Sequence, residues 1–379
     1  MSRAAVSDNG QPDTPEPDRL DGFLHPRYCE HLFGHEDAQN ALLEGFTSQR
    51  LHHAWLLAGP EGIGKATLAY RFARYLLAHT SSSMDAQEND LSIPAGHRVF
   101  GQVAALAHPN LLLLRRPWLA DRKRLATAIT VAEARRLRHF FGHTAGAGAW
   151  RVVIIDRADE LNAAAANALL KNLEEPPERC VFLIVCSALG RLPVTLRSRC
   201  RTLRLSSLGA ADLESATLAA YSGAEIDAPD SATLQATLPL AHGSTRRALQ
   251  LLESGGAKMH ERVAKLMGQL PGLDHQALHR LADELTASGA DSAYELFFEL
   301  AGESIARIVA HGATGEGALG AEAEIAQRLQ GPHALAQFAG LWETVQREKA
   351  EADALNLDRK NLVLGTFFRL EEAARQALR

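Results

Sequence analysis

Residues 54 to 73 read AWLLAGPEGIGKATLAYRFA: a short apolar run, a loop with three glycines, a lysine and then an amphipathic stretch at helical spacing. A buried strand feeding a glycine-rich turn and a helix is the layout of a cradle for nucleotide phosphates. Glycines let backbone N–H groups turn inward, and the helix adds the positive end of its dipole. Gly59, Pro60, Gly62 and Gly64 are the candidate cradle, and Lys65 is the candidate contact to the β and γ phosphates. The pattern asks for Ser or Thr directly after the lysine, because that hydroxyl holds magnesium. Here Ala66 follows Lys65, and the hydroxyl arrives one place late, at Thr67. The plain alternative is a glycine-rich turn with a surface lysine.

The rest of the first half carries more runs of the same kind. NLLLLR (110–115), WRVVIID (150–156) and CVFLIVC (180–186) are continuous apolar segments bounded by polar residues, the pattern of parallel strands covered on both faces. Helical stretches such as EDAQNALLEGF (36–46) and ELNAAAANALLKNLEE lie between them, the latter stopped by Pro176 and Pro177. The spacing predicts an α/β doubly wound core over residues 22–205. Beyond residue 206 the strand signal vanishes. A small helical lid is expected over 206–256 and an all-helical domain over 257–379, with loops near 312–321 and at 331–333.

Residues 1–21 are acidic and proline-rich and are expected to form a disordered tail. A hydrophobic content of 46% is enough to bury a core, and a net charge of −5 argues against a general polyanion-coating protein. No apolar run is long enough for a membrane span, and none of the four cysteines forms a C-x-x-C pair; a reducing, cytoplasmic setting is expected.

A second motif, RVVIIDRADELN, ends a strand on Asp156. That is where nucleotide hydrolases keep the carboxylate that holds magnesium through water, although an aspartate there also suits a helix N-cap. The next residue in hydrolases is a glutamate that polarises the attacking water. Here it is Arg157, and a guanidinium accepts no proton. Ala66 and Arg157 together predict poor hydrolysis or none. In RLPVTLRSRCRTLRL (191–205), Pro193 and the RSR triplet mark a turn before a short strand; Arg197, Arg199 and Arg201 fit either a basic surface or a functional edge.

GPEGIGKATLA, ALLKNLEEPPE, LPVTLRSRC and HGSTRRAL, taken together, resemble bacterial DNA polymerase III clamp-loader subunits of the AAA+ class, with SRC (198–200) after LEEPP (173–177) the most specific pairing. The resemblance is strong over residues 28–255. It implies an AAA+ core of P-loop NTPase type with a lid and a C-terminal oligomerisation collar. Lys65 and its glycines fall on the Walker A loop, Asp156 on the Walker B aspartate, Ser187 near sensor 1, and Arg246 on the sensor-2 arginine. Arg199 falls on the arginine that reaches the ATP of a neighbouring subunit. The implied partners are gamma/tau-type and delta-type loader subunits, the sliding clamp and primed DNA, with no membrane. ATP or ADP, with or without magnesium, is the implied ligand.

Many relatives carry a four-cysteine zinc module, but residues 80–110 contain no cysteine, and His79, His97 and His108 lack ligand spacing; no zinc is expected. RRPWLADRKRL (115–125) and EARRLRHFF (133–141) are either solvated faces or surfaces that follow DNA phosphates.

Overall fold

The computed structural model describes residues 15–79, 90–142, 149–329, 332–355 and 357–377. They fall into two compact units, Met1–Leu249 and Gln250–Arg379.

In the first unit α1 (Glu36–Thr47) leads to β1 (Ala54–Ala58) and α2 (Lys65–Ala78). Then come α3 (Arg98–Ala104), β2 (Leu111–Leu114), a hairpin of two-residue strands β3 (Trp118–Leu119) and β4 (Arg124–Leu125), α4 (Val131–Gly142) and β5 (Arg151–Ile155). α5 (Ala163–Glu174), β6 (Cys180–Cys186), the single turn α6 (Val194–Arg197) and β7 (Arg201–Arg204) complete the α/β part. α7 (Ala210–Gly223), α8 (Ser231–Thr237) and α9 (Thr245–Ser254) follow, and the boundary between the units passes within α9.

Five strands form one sheet in the order β2-β5-β6-β1-β7, every pairing parallel. One face carries Trp55, Leu57, Val152, Ile154 and Leu183 against Leu68, Phe72 and Leu76 of α2. The other carries Leu56, Val153, Ile155, Phe182 and Ile184 against Leu137 of α4 and Leu169 and Leu173 of α5. Burial on both faces is why these strands read as unbroken apolar runs. Each such side chain contributes roughly 1.5–3 kcal/mol on leaving water. Cys180 and Cys186 belong to this core, and burial pushes their thiols up to about 12 and about 11, which leaves them unreactive at neutral pH.

The register pairs Ala58 with Cys186 and Ile155 with Ile184, so β1 and β6 end together and β5 ends two residues earlier at the same edge. The glycine loop, Asp156 and Ser187 all follow from that edge, where open α/β sheets bind ligands. The two outer strands differ: β2 is wholly buried, whereas β7 exposes Arg201, Thr202 and Arg204.

One boundary needs correcting. Residues 1–14 of the expected tail lie outside the described residues, but from Glu16 onward the chain is packed. Glu16 accepts two hydrogen bonds of 2.8 Å from Arg27 and pairs with Arg115, while Asp18 meets His25 and Arg115. An acidic, proline-rich stretch looks unable to order itself, yet these arginines supply the partners that local composition hides.

The second unit is all helix: α10 (Gly256–Gly268), α11 (His275–Leu285), α12 (Asp291–Thr314), α13 (Ala321–Arg328), α14 (Pro332–Leu355) and α15 (Arg359–Ala377). Phe297, Phe298, Phe338 and Phe367 fill its core. Glu322, fully buried, accepts from Arg307 Nε and Nη2 at 2.8 and 2.7 Å and from Ser304 at 2.7 Å, with His260 3.2 Å away. At Gly302 an added Cβ would stand 2.2 Å from the Trp342 ring, so α12 and α14 pack tightly there. Among the described residues no helix is long and apolar enough to cross a membrane.

Candidate nucleotide site

A cavity of about 590 Å³ lies at the C-terminal ends of the strands in the first unit. Gly62, Gly64, Lys65, Ala66, Thr67, Asp156, Ser187 and Arg246 all line it, so the separate sequence motifs converge on one place. Its apolar wall comes from residues that sequence reasoning did not single out, among them Leu20, Phe23, Pro26 and Tyr28. Gly59 and Pro60 are not in the lining. Their carbonyls accept from Lys65 Nζ, at 2.8 Å for Gly59, and fold the lysine back on its own loop. Lys65 is only 4% exposed, and burial brings its ammonium down to about 8 against the pull of Asp156, Glu61 and Asp159.

Gly62 has φ +78°, and a Cβ there would lie 2.3 Å from Ser244 Oγ and 2.5 Å from Arg246 Cβ. The loop therefore needs glycine both for its left-handed turn and for contact with the first turn of α9. That contact carries Arg246 to the loop. Its Nε lies 3.6 Å from Glu61 and its Nη1 donates to the Asp18 carbonyl at 3.3 Å.

Asp156, at the end of β5, is 2% exposed. Its Oδ1 accepts from the Arg157 N–H at 3.0 Å. It caps no helix: Arg157 precedes the short 3-10 turn that follows, and Asn162 caps α5. The other Asp156 oxygen is buried without an N–H donor and belongs to a carboxyl that reaches Asp18. Burial would raise both acids. His25, 2.5 Å away, and Arg115, 3.0 Å away, hold Asp18 well below the usual carboxylate range, so it stays ionised. Burial and the Asp18 charge push Asp156 well above that range. Burial and the neighbouring Asp18 charge thus disfavour the ionised form of Asp156.

Arg157 adopts φ +52° and places its guanidinium 2.8 Å from Glu160 and 2.7 Å from Glu61. Asp159 accepts the Ser187 N–H at 3.0 Å, which fixes the end of β6. Arg115 and Arg116, read from the sequence as possible phosphate contacts, are committed inward, to Glu16 and Asp18 and to Glu160 respectively. The three histidines weighed as zinc ligands have local roles: His97 and His108 accept from the N–H of Val99 and Asn110, and His79 bonds the Tyr75 carbonyl.

These donors do not fit a magnesium ion. Ala66 offers no side-chain oxygen, Asp156 is buried beside Asp18 and pushed above the usual carboxylate range, and Arg157 brings positive charge where a carboxylate would stand. The glycine loop, Lys65 and a cavity of small-molecule size remain.

Arg199 lies outside this cavity, just beyond α6. It is about one-third exposed, donates to the Thr195 carbonyl at 2.7 Å and pairs with Glu174 at 2.6 Å. It does not line its own chain's site.

Residues 34–209 match the family described as DNA polymerase III, delta subunit. The chain is 35% identical over 237 residues to the DNA polymerase III delta' subunit of Pseudomonas aeruginosa, 61% of this chain and 66% of that one. It is 29% identical over 253 residues to the gamma subunit of Buchnera aphidicola from Acyrthosiphon pisum, 65% of each chain. The chain belongs to the family of DNA polymerase III delta-type and gamma/tau subunits. A third relative in that family, the Escherichia coli tau subunit, is 29% identical over 70% of this chain but only 39% of its own. The chain thus spans less than two thirds of the gamma and tau relatives. In this chain the ends of the parallel strands, the glycine loop and the first turn of α9 enclose one cavity.

Proposed function

We propose that this chain is a delta-prime-type subunit of a DNA polymerase III clamp loader, one that does not turn over ATP itself and lends Arg199 to the ATP site of a neighbour. The observation that carries the reading is Arg157. It stands directly after the Walker B aspartate, tied to Glu61 and Glu160, and puts a guanidinium where the family's water-activating glutamate would stand. Ala66 and the covered Asp156 point the same way. Arg199 supports the second half, since it is solvent-accessible and lies on the arginine of the family's SRC motif.

In this role the partners are gamma/tau-type and delta-type subunits, with the sliding clamp and primed DNA engaged by the assembly in the cytoplasm. ATP or ADP, with or without magnesium, is in this role a ligand of the chain and not its substrate, and polymerisation belongs to another subunit. A transferred arginine of this kind is worth on the order of 10³ to 10⁵ in rate in small GTPases.

The second reading is a hydrolysing gamma/tau-type subunit, favoured by similarity to tau over 70% of the chain. The DNA- and clamp-stimulated ATPase of the reconstituted loader separates the two. Under the first reading Arg199→Ala collapses the rate and the isolated chain is silent. Turnover by the isolated chain that Lys65→Ala abolishes would establish the second, and an unchanged rate with Arg199→Ala would reduce the chain to a scaffold.

A further inference from the structure

We propose that Asp18 and Glu61 are built-in occupants of the phosphate end of the cavity, and that they close it to magnesium-bound nucleotide until the segment around Asp18 is displaced. The proposal rests on reading the glycine loop as a nucleotide site, but not on the role given to Arg199.

The cationic groups facing the cavity are each held by the protein itself. Lys65 is held by the carbonyls of Gly59 and Pro60. Arg157 and Arg246 both turn to Glu61, at 2.7 and 3.6 Å, so a carboxylate of the loop sits between two guanidinium groups that would otherwise meet an incoming anion. On the opposite side Asp18 covers Asp156. Its backbone carbonyl accepts from Arg246, and its carboxylate is pinned by His25 and Arg115. Glu16 fastens the same segment to Arg27 and Arg115.

The segment is therefore anchored at four side chains, and its one inward-facing acid lies against the residue on which a metal–nucleotide complex depends. A triphosphate entering this arrangement meets two carboxylates in place of free cations. Like charges placed together repel, which disfavours a ligand that lacks compensating contacts.

Equilibrium binding of a fluorescent N-methylanthraniloyl ATP to the full 379-residue chain, in magnesium, tests this. The wild type is expected to bind weakly, and Asp18→Asn with Glu61→Gln to bind at least about tenfold more tightly. Equal affinity of the two forms, at any level, overturns the proposal, and it does so without touching the Arg199 result in the loader. Should the double variant fail to fold, hydrogen exchange on the wild type decides. Amides of residues 16–25 must exchange faster at saturating magnesium-ATP than without it, and unchanged protection overturns the proposal.

Discussion

The Arg199 guanidinium rests 2.6 Å from the Glu174 carboxylate, so the arginine after α6 is docked on the last residue of α5. Glu174 is half exposed, and a solvent-accessible pair of this type contributes only about 0–1 kcal/mol. An arginine held so weakly is positioned without being trapped. Glu174→Gln should move the thermal midpoint by no more than about 4 °C. It should also leave the loader ATPase near wild type, whereas Arg199→Ala collapses it. A Glu174→Gln rate as low as that of Arg199→Ala would mean that the carboxylate aims the guanidinium.

Gly62→Ala should destabilise the first unit by more than about 1 kcal/mol, through its positive φ and the collision with Ser244 and Arg246. Gly101→Ala in α3 is the control, because no atom lies within 4 Å of its added Cβ. There the gain in helix propensity should stabilise by about 0.5–1 kcal/mol. Calorimetric midpoints that move in the same direction for both would contradict the packing described at the loop.

Glu322 gives the second unit an acid limit. Burial would raise its carboxyl, but Arg307, His260, Ser304 and the Leu319 N–H bring it from 4.5 down to about 2. A folded pKa below the unfolded one contributes stability that is complete above pH 4.5 and is lost as pH falls towards 2, about 3 kcal/mol in all. Glu322→Gln should cost about 3–5 kcal/mol at neutral pH by leaving the buried Arg307 with only the more distant Glu303, 3.8 Å away. It should also flatten the loss of stability between pH 4.5 and 2. A variant with the wild-type acid profile would remove Glu322 as its cause.

Restoring the two residues that depart from the hydrolase pattern should not restore hydrolysis. Ala66→Thr with Arg157→Glu supplies a hydroxyl and a carboxylate, yet Asp156 stays beneath Asp18, and position 157 keeps a left-handed backbone at φ +52°. The isolated double variant is expected to remain silent in a phosphate-release assay. Turnover there would mean that Asp18 is no barrier.

The frame of the molecule was legible in the sequence where burial is symmetric. AWLLA and CVFLIVC coincide with β1 and β6, and residues 65–78 with α2, because a strand covered on both faces writes an uninterrupted apolar run. The β3–β4 hairpin, two residues per strand, carries too few positions to show any period. The site was half legible. Lys65, Asp156, Ser187 and Arg246 announce themselves through motifs, but Asp18 is one acid among several in a proline-rich stretch. Its partner Arg115 lies 97 residues away, so only the tertiary fold reveals the pairing. Arg115 was misread for the same reason: a guanidinium beside a tryptophan and other bases looks solvent-facing until its carboxylates are known.

The two borders of the sheet, one hidden and one open, differ in what they present to a second strand. An exposed strand is a template for pairing with another copy, and β7 offers its open backbone with three of four residues in solvent. It is only four residues long, and both of its ends are arginines; Arg201 also lies over the Trp55 ring at 4.9 Å, which fixes one of the two charges in place. A second β7 brought alongside would set arginine against arginine before any backbone hydrogen bond formed. Short length and like charge at both ends thereby guard the strand against growth into an extended sheet.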